Sequence, residues 1–466
     1  MNTPSSATDS GRPREALLFD PGEPVAARRP EPSAPPQVRL RFAERTQGEM
    51  RIASLDQLLP PDHQVRVVWD YVAGLDLTCL LQQIKAVPGQ PGRDATDPRI
   101  LLSLWLFATI DGVGSARTLD GLCREHLAYQ WLCGGVSLNY HTLADFRSQN
   151  VEALDQLLTD GVALLLHEKL ISLKALAQDG MRVRASAGAA SFRREPTLQK
   201  CLALAKAQVE ALKNQVDENP QAASRRQEAA RQRAARERQQ RLEQALAERT
   251  KLLEKREQQR REKGVKFEAA ELRTSTTDPE AARMKMPDGG TRPGYNVQFA
   301  TTVQGGVVAG VDVSNVGSDG GQMQPMREQI EARYGERPQQ MLVDGGFTTL
   351  QDIEQAEQES TQVFGPVKNE ESQKAKGEDP YQPKKKDGPG VAAWRQRMGT
   401  AEAKEMYKFR SATAEWVNAG ARQRGMYQVL VRGRHKVLAI ALLQALAHNL
   451  LRTVALREQA ATKPEK

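Results

Sequence analysis

One stretch constrains this chain more than any other: Lys174 to Ala185, KALAQDGMRVRA. Ala175, Ala177, Asp179, Met181 and Val183 alternate with Leu176, Gln178, Gly180, Arg182 and Arg184, which is the period of a β-strand. Asp179 sits mid-strand, where a carboxylate is costly unless something charged meets it. Taken alone, an Asp-Gly pair reads as the cap of a local turn. A second segment, QQMLVDGGF, changes the balance. There Asp344 follows the apolar run Met341-Leu342-Val343 and precedes Gly345-Gly346. Two strands that each deliver one Asp at a Gly-marked point can converge on one metal site.

The length of 466 residues suggests two to four domains. Only 5% of the chain is aromatic, so the core is aliphatic, and part of the chain is not core at all. The formal charge of +8 is concentrated: Arg225 to Lys266 carries 15 Lys or Arg against 7 Asp or Glu. A basic stripe of this kind points to a polyanion such as nucleic acid. The plainer alternative is a solvated helix face. Cys79, Cys123, Cys133 and Cys201 have no CxxC spacing, and so suggest neither a zinc ribbon nor a disulfide scaffold. A reducing cytoplasm is expected. No apolar run approaches the ~20 residues that span a bilayer, so no membrane is expected. The N-terminus shows no signal-peptide core.

Residues 1–38, rich in Pro, Ser, Arg and Glu, are expected to be disordered. Residues 39–165 read as an all-helical domain. Val65, Val68, Trp69 and Val72 share one helix face, with Asp62 as its cap. DPRILLSLWLFATI is too apolar for a surface helix and should be the core. SARTLDGLCREHLAYQWLCGG and NYHTLADFRSQN form a helix-turn-helix-like pair. The second offers Asn139, His141, Thr142, Arg147 and Gln149 to phosphates or base edges.

Residues 166–453 read as a mixed αβ domain. A helical hairpin, 193–266, interrupts it after the Asp179 strand. Leu202, Ala205, Val209, Leu212 and Val216 form an a/d seam, Asn219-Pro220 ends the first helix, and Leu242, Leu246, Arg249 and Leu253 stripe the second. The hairpin can lie along DNA through Arg231, Arg233, Arg236, Arg238 and Arg241, or mediate dimer contacts through its apolar seam. Two strands then flank Gly305-Gly306, and a helix follows, capped by Ser318 or Asp319. Asp312 and Asp319 are the rival acids. Residues 369–398 read as a mobile loop, and 454–466 as a tail.

These motifs together resemble a known family. LLPPDHQVRVVW, DPRILLSLWLFAT, GVGSARTLDGLC, YQWLCGGVSLNYHTLADFR, QDGMRVRASAG, GYNVQFA, VDGGF, TAEWVNAGARQRG, LVRGRHKV and ALAHNLLR stand in one order between Met50 and Thr453. They look like the DDE transposases of bacterial insertion sequences, in the branch with a helical N-terminal domain and a helical insertion. The resemblance implies an RNase H-like catalytic fold and an acidic triad, Asp179, Asp344 and Glu415. It implies two Mg²⁺ or Mn²⁺ ions held by those acids. It implies cleavage of double-stranded DNA at element ends, transfer of the 3′-OH ends to a target site, and a homo-oligomer, at least a dimer, on DNA. Tyr407, Arg410 and Arg422 stand around Glu415 as in the related Tyr-Arg-Glu-Lys signature, with Arg422 in place of its Lys. Arg410, Arg422 and Arg432 are expected at DNA. Three acids so close should repel one another and raise their pKa values. The competing classes are a silent or repurposed transposase-derived DNA-binding protein and a nuclease that only hydrolyses.

Overall fold

The structure is a computed structural model and describes residues 52–86, 94–218, 225–264 and 266–462. The expected disordered tail, 1–38, and the helix stop at Asn219-Pro220 lie outside the described residues, as does the side chain of Val216.

The N-terminal half is helical: α1 Gln64–Ala73, α2 Pro98–Ile110, α3 Ala116–Glu125, α4 Leu127–Cys133, α5 Tyr140–Gln149 and α6 Val151–His167. Then follow β1 Ala175–Arg184, α7 Glu195–Glu218, α8 Arg225–Lys263, β2 Ala282–Lys285, β3 Thr291–Thr302, β4 Val308–Ser314, α9 Met323–Tyr334, β5 Gln340–Val343, α10 Leu350–Gln358 and β6 Gln362–Phe364. The chain closes with α11 Pro389–Met398, α12 Ala401–Arg410, α13 Trp416–Gln423 and α14 Arg434–Ala461.

Helix α2 is the centre of the helical half, as its composition requires. Ten of its 13 residues are buried, with Asp97 capping Arg99 N–H and Pro98 in the first turn. Each fully buried Leu there contributes roughly 1.5–3 kcal/mol. His63, and not Asp62, caps α1: its ring accepts from Val65 N–H. The stretch expected as one helix before the Gly134 turn is two, broken at His126, whose backbone is extended.

β1 is the middle of a six-stranded sheet. It pairs antiparallel with β3 and parallel with β5, and β5 pairs parallel with β6. β2 and β4 both add to the outer edge of β3. This is the RNase H-like arrangement, with α7 and α8 inserted between β1 and the rest. The N-terminal helices share one core with the face of the sheet that carries Met181, Val183, Tyr295 and Phe299, and α14 fills the space between them. The other face packs on Met323, Ile330, Ile353 and Trp394.

The insertion is an antiparallel hairpin: Arg238 donates to Gln208 at 3.3 Å, and Lys206 stands 4.0 Å from Glu243. Its small core is Leu198, Ala205, Leu242 and Ala245, with Leu202 and Leu246 packed against them. Part of the seam expected to mediate dimer contacts is therefore buried inside the hairpin.

Three expectations do not hold. Residues 369–398 hold a short helix, Glu370–Ala375, and α11. Trp394 is buried and Arg395 Nε meets Asp387 at 2.6 Å, so this lysine-rich stretch is folded onto the sheet. The expected tail from 454 is the last part of α14, which runs to Ala461. α14 is also long and apolar enough to cross a membrane by length and composition, although no such stretch was expected; 72% of its apolar window is buried inside the protein, as befits a core helix.

Candidate active site

β1 and β5 run side by side, with Gln178 opposite Val343. The next residue on each chain segment is an acid, Asp179 and Asp344. Asp344 lies just past the end of β5, where Gly346 N–H donates to its Oδ1 at 2.7 Å. A Cβ on Gly346 would stand 2.9 Å from that oxygen, so the backbone reaches the carboxylate only because the residue is Gly. Asp179 accepts from Gly180 N–H at 3.0 Å and from Asn418 Nδ2 at 2.9 Å. Burial pushes its carboxyl up; the Arg410 charge works against that rise, and the Asp344 charge adds to it. Repulsion between acids, the cause expected from sequence, is thus secondary to desolvation.

Glu415 arrives from a helix that crosses β1 and β3. Residues Ser411–Glu415 form a single π-helical turn between α12 and α13. On an α-helix, residues five apart lie about 140° from one another. The wider turn brings Arg410 and Glu415 to one face, with Arg410 Nη2 3.0 Å from Glu415 Oε1. Thr413 helps the turn close by donating to Phe409 C=O at 2.7 Å. Arg410 is mostly buried; its Nη1 stands 3.9 Å from Asp179 Oδ2, and Tyr407 Oη accepts from its Nε at 3.3 Å. One guanidinium therefore links the first and third acids. Among the described residues no three His, Cys, Asp or Glu side chains surround a single point closely enough to hold a metal ion.

Asn418 was not foreseen. It lies one helical turn beyond Glu415, and that i, i+3 spacing was the signal that could have found it. Among the described residues its Oδ1 is buried with no hydrogen-bond partner, as is Arg410 Nη1. Two unmatched polar atoms beside a carboxylate pair mark a place where a further polar ligand fits.

Asp319 is not a helix cap. Gln322 precedes α9, and Asp319 instead accepts from Asn296 Nδ2 at 2.7 Å and Gln298 Nε2 at 2.9 Å, with Arg182 Nη2 at 3.7 Å. Gln298 is opposite Gly180 in the register, so this network lies on the other face of β1 from Asp179. Asp312 pairs with Gln298 and shares that other face. A Cβ on Gly180 would lie 2.2 Å from Asp319 Oδ1. Gly180→Ala should therefore cost about 1–3 kcal/mol and displace Asp179. A denaturation midpoint equal to that of the parent chain would show that the network yields freely.

The residues expected at DNA divide. His141 is exposed and Thr142 partly so, while Asn139 caps α5. Arg147 is a misassignment: it is buried, stacked 4.2 Å over Trp105, and donates to Gly114 C=O at 2.7 Å. Arg422 and Arg432 are exposed, as are Arg231, Arg233 and Arg238 on α8. An open hollow of about 720 Å³ borders Glu415. Phe409 and Trp416, 52% and 45% exposed, line it, with the Arg452 guanidinium 5.4 Å over Trp416.

Two family models match the chain. One, described as a transposase domain (DUF772), covers residues 53–149; the other, described as a transposase DDE domain, covers 263–450. The chain belongs to the DDE transposases. No curated protein and no solved structure matches it. Within this transposase, β1 and Asp179 fall between the two matched segments, and the strand pairing with β5 is what ties Asp179 to the matched part. The family acts on DNA and depends on metal. Asp179, Asp344 and Glu415 offer carboxylate oxygens only, the donor type that Mg²⁺ and Mn²⁺ take.

Proposed function

We propose that Asp179, Asp344 and Glu415 carry the chemistry of this transposase: cleavage of DNA at element ends and joining of the freed 3′-OH to a target. The observation that supports the reading is that Asp179 and Asp344 each directly follow the paired residues Gln178 and Val343 of two parallel strands, with Arg410 linking Asp179 to Glu415. These acids would hold two Mg²⁺ or Mn²⁺ ions. Such a pair activates a water or 3′-OH and stabilises the leaving oxygen. Asn418 fixes the rotation of the Asp179 carboxylate, and Arg410 offsets the negative charge between the acids. The hollow beside Glu415 offers aromatic faces and a cation to a DNA strand. The test is incubation of the full chain with DNA carrying the ends of its own element. Cuts at a fixed position in Mg²⁺, absent in chelator, are expected; cuts that persist in chelator would rule out the metal-dependent mechanism.

Helix α8 is assigned to DNA in the assembled complex, with the chain acting as at least a dimer at the nucleoid. Arg231, Arg233, Arg236 and Arg238 are exposed along it, and Arg241 is half-buried. Changing all five to Gln keeps helix propensity. The log–log salt slope of DNA binding should then flatten by about 0.9 for each phosphate that loses its arginine. If the slope stays where it was, this part of α8 does not touch DNA.

A further inference from the structure

A second groove lies between α8 and the outer edge of the sheet, away from the acids. Its volume is about 580 Å³. Lys251, Lys255 and Arg256 line the α8 wall, and Arg273, Arg283 and Arg434 the other. Two carboxylates share the lining, Glu248 and Glu280, so cations outnumber anions by six to two. Both anions are already engaged: Glu248 meets Lys251 at 2.8 Å, and Glu280 accepts from Arg434 N–H at 2.9 Å. Among the described residues, Arg256 meets only Gln259, at 3.4 Å. Among the described residues, Lys255 and Arg283 have no carboxylate partner. The floor is apolar, from Phe192, Leu252, Ala281 and Val316.

These cations are not needed to hold the hairpin. Its packing rests on Leu198, Ala205, Leu242 and Ala245. Its base is fixed by Arg249, which meets Glu195 at 2.7 Å and donates to Ala269 C=O at 2.9 Å. Lys251 and Arg273 are paired, with Glu248 and with Glu271 at 3.7 Å, but the positive charge left at Lys255, Arg256 and Arg283 costs self-repulsion, and an anionic ligand relieves it. Cationic walls over an apolar floor match the charged phosphates and apolar sugar faces of a nucleic-acid backbone.

We propose that this groove holds the sugar–phosphate backbone of one DNA strand, on the duplex whose end lies at the acids. The proposal rests on the transposase reading of those acids and adds a second, separate binding surface. Its position follows from the register. Ala282 in the groove is in register with Gly294, and Gly294 with Arg184, five residues along β1 from Asp179. At ~3.4 Å per residue and ~4.8 Å per strand, the separation is roughly 20 Å. At ~3.4 Å of helix axis per phosphate of one strand, that is about six phosphates from the bond to be cut if the duplex axis runs that way.

The test replaces Lys255→Gln, Arg256→Gln and Arg283→Gln together in the full chain. Binding to a fluorescent duplex of mixed sequence is measured across a salt series, with the unfolding midpoint as the fold control. The log–log slope should fall by up to about 2.7, or 0.9 for each cation removed from a phosphate. Arg283→Gln alone, a change at an exposed position, should lower it by about 0.9 and serves if the triple variant folds poorly. An unchanged slope in a folded variant overturns the proposal. An unchanged slope together with loss of self-association in sedimentation overturns it in favour of an acidic segment from a second copy. A parent chain that binds but cuts nothing would count against the catalytic reading alone, since the slope comparison needs no cleavage.

Discussion

Asp344→Asn is expected to lower strand cleavage by more than about 1,000-fold, equivalent to ~4 kcal/mol, while binding to DNA persists. The substitution keeps the shape of the side chain and removes its charge. The turn at Gly345-Gly346 is unaffected by that change, because Asn Oδ1 can still accept from Gly346 N–H. What disappears is one anionic donor next to Asp179. Asp179→Asn and Glu415→Gln should behave alike, since a site that works as a unit fails when any member is removed. Single-turnover cleavage of labelled element-end DNA, alongside a binding titration, reads both quantities. A normal rate for Asp344→Asn would reassign the second acid, and Asp319, whose Oδ2 lies near Gly346, would be the next candidate.

Inserting one alanine after Ala412 is expected to reduce cleavage by at least about 100-fold and leave the fold standing. Ala412 is exposed on the π-helical turn. Adding one residue leaves Arg410 and Glu415 six apart and turns Glu415 by about 100° relative to Arg410. The ion pair between Arg410 and Glu415, 3.0 Å long in the parent chain, then cannot form, and misplacement by ~1 Å already costs about 100-fold. Replacing Ala412 by Leu, which keeps the residue count, should change the rate little. That contrast separates the geometry of the turn from the identity of the side chain. Equal rates for the insertion and the parent chain would show that the spacing of the turn has no part in placing Glu415.

The parts of the site that were legible in the sequence are those written in local spacing. Period two around Asp179 and the Val-Asp-Gly-Gly run at Asp344 both describe a strand meeting a close approach of backbone, and the register pairs Gln178 and Val343, the residues just before the two acids. Glu415 came only from the family resemblance, because a Glu on a helix carries no local mark of its role. The π turn was hidden for a related reason: an extra residue in a helix changes facing, and no composition signal accompanies it. Arg147 was misread because a polar residue on an amphipathic helix looks solvent-facing. Its partner is Trp105, far away in sequence, and the burial is decided by that stacking. Asp319 stands where a helix cap would, yet Asn296 and Gln298 on β3 claim its carboxylate from across the sheet. The lysine-rich stretch 369–398 looked unstructured because its ordering depends on one Trp and one buried ion pair.

If three acids from distant parts of the chain share one metal site, iron-directed backbone cleavage reveals it without depending on activity. Fe²⁺ substituted for Mg²⁺, with ascorbate and peroxide, generates radicals that cut the polypeptide next to the bound ion. Cuts are expected near Asp179, near Asp344 to Gly346 and near Arg410 to Asn418, competed by excess Mg²⁺ and weakened together in Asp344→Asn. Cuts confined to other segments, or a cutting pattern indifferent to Asp344→Asn, would contradict the shared site.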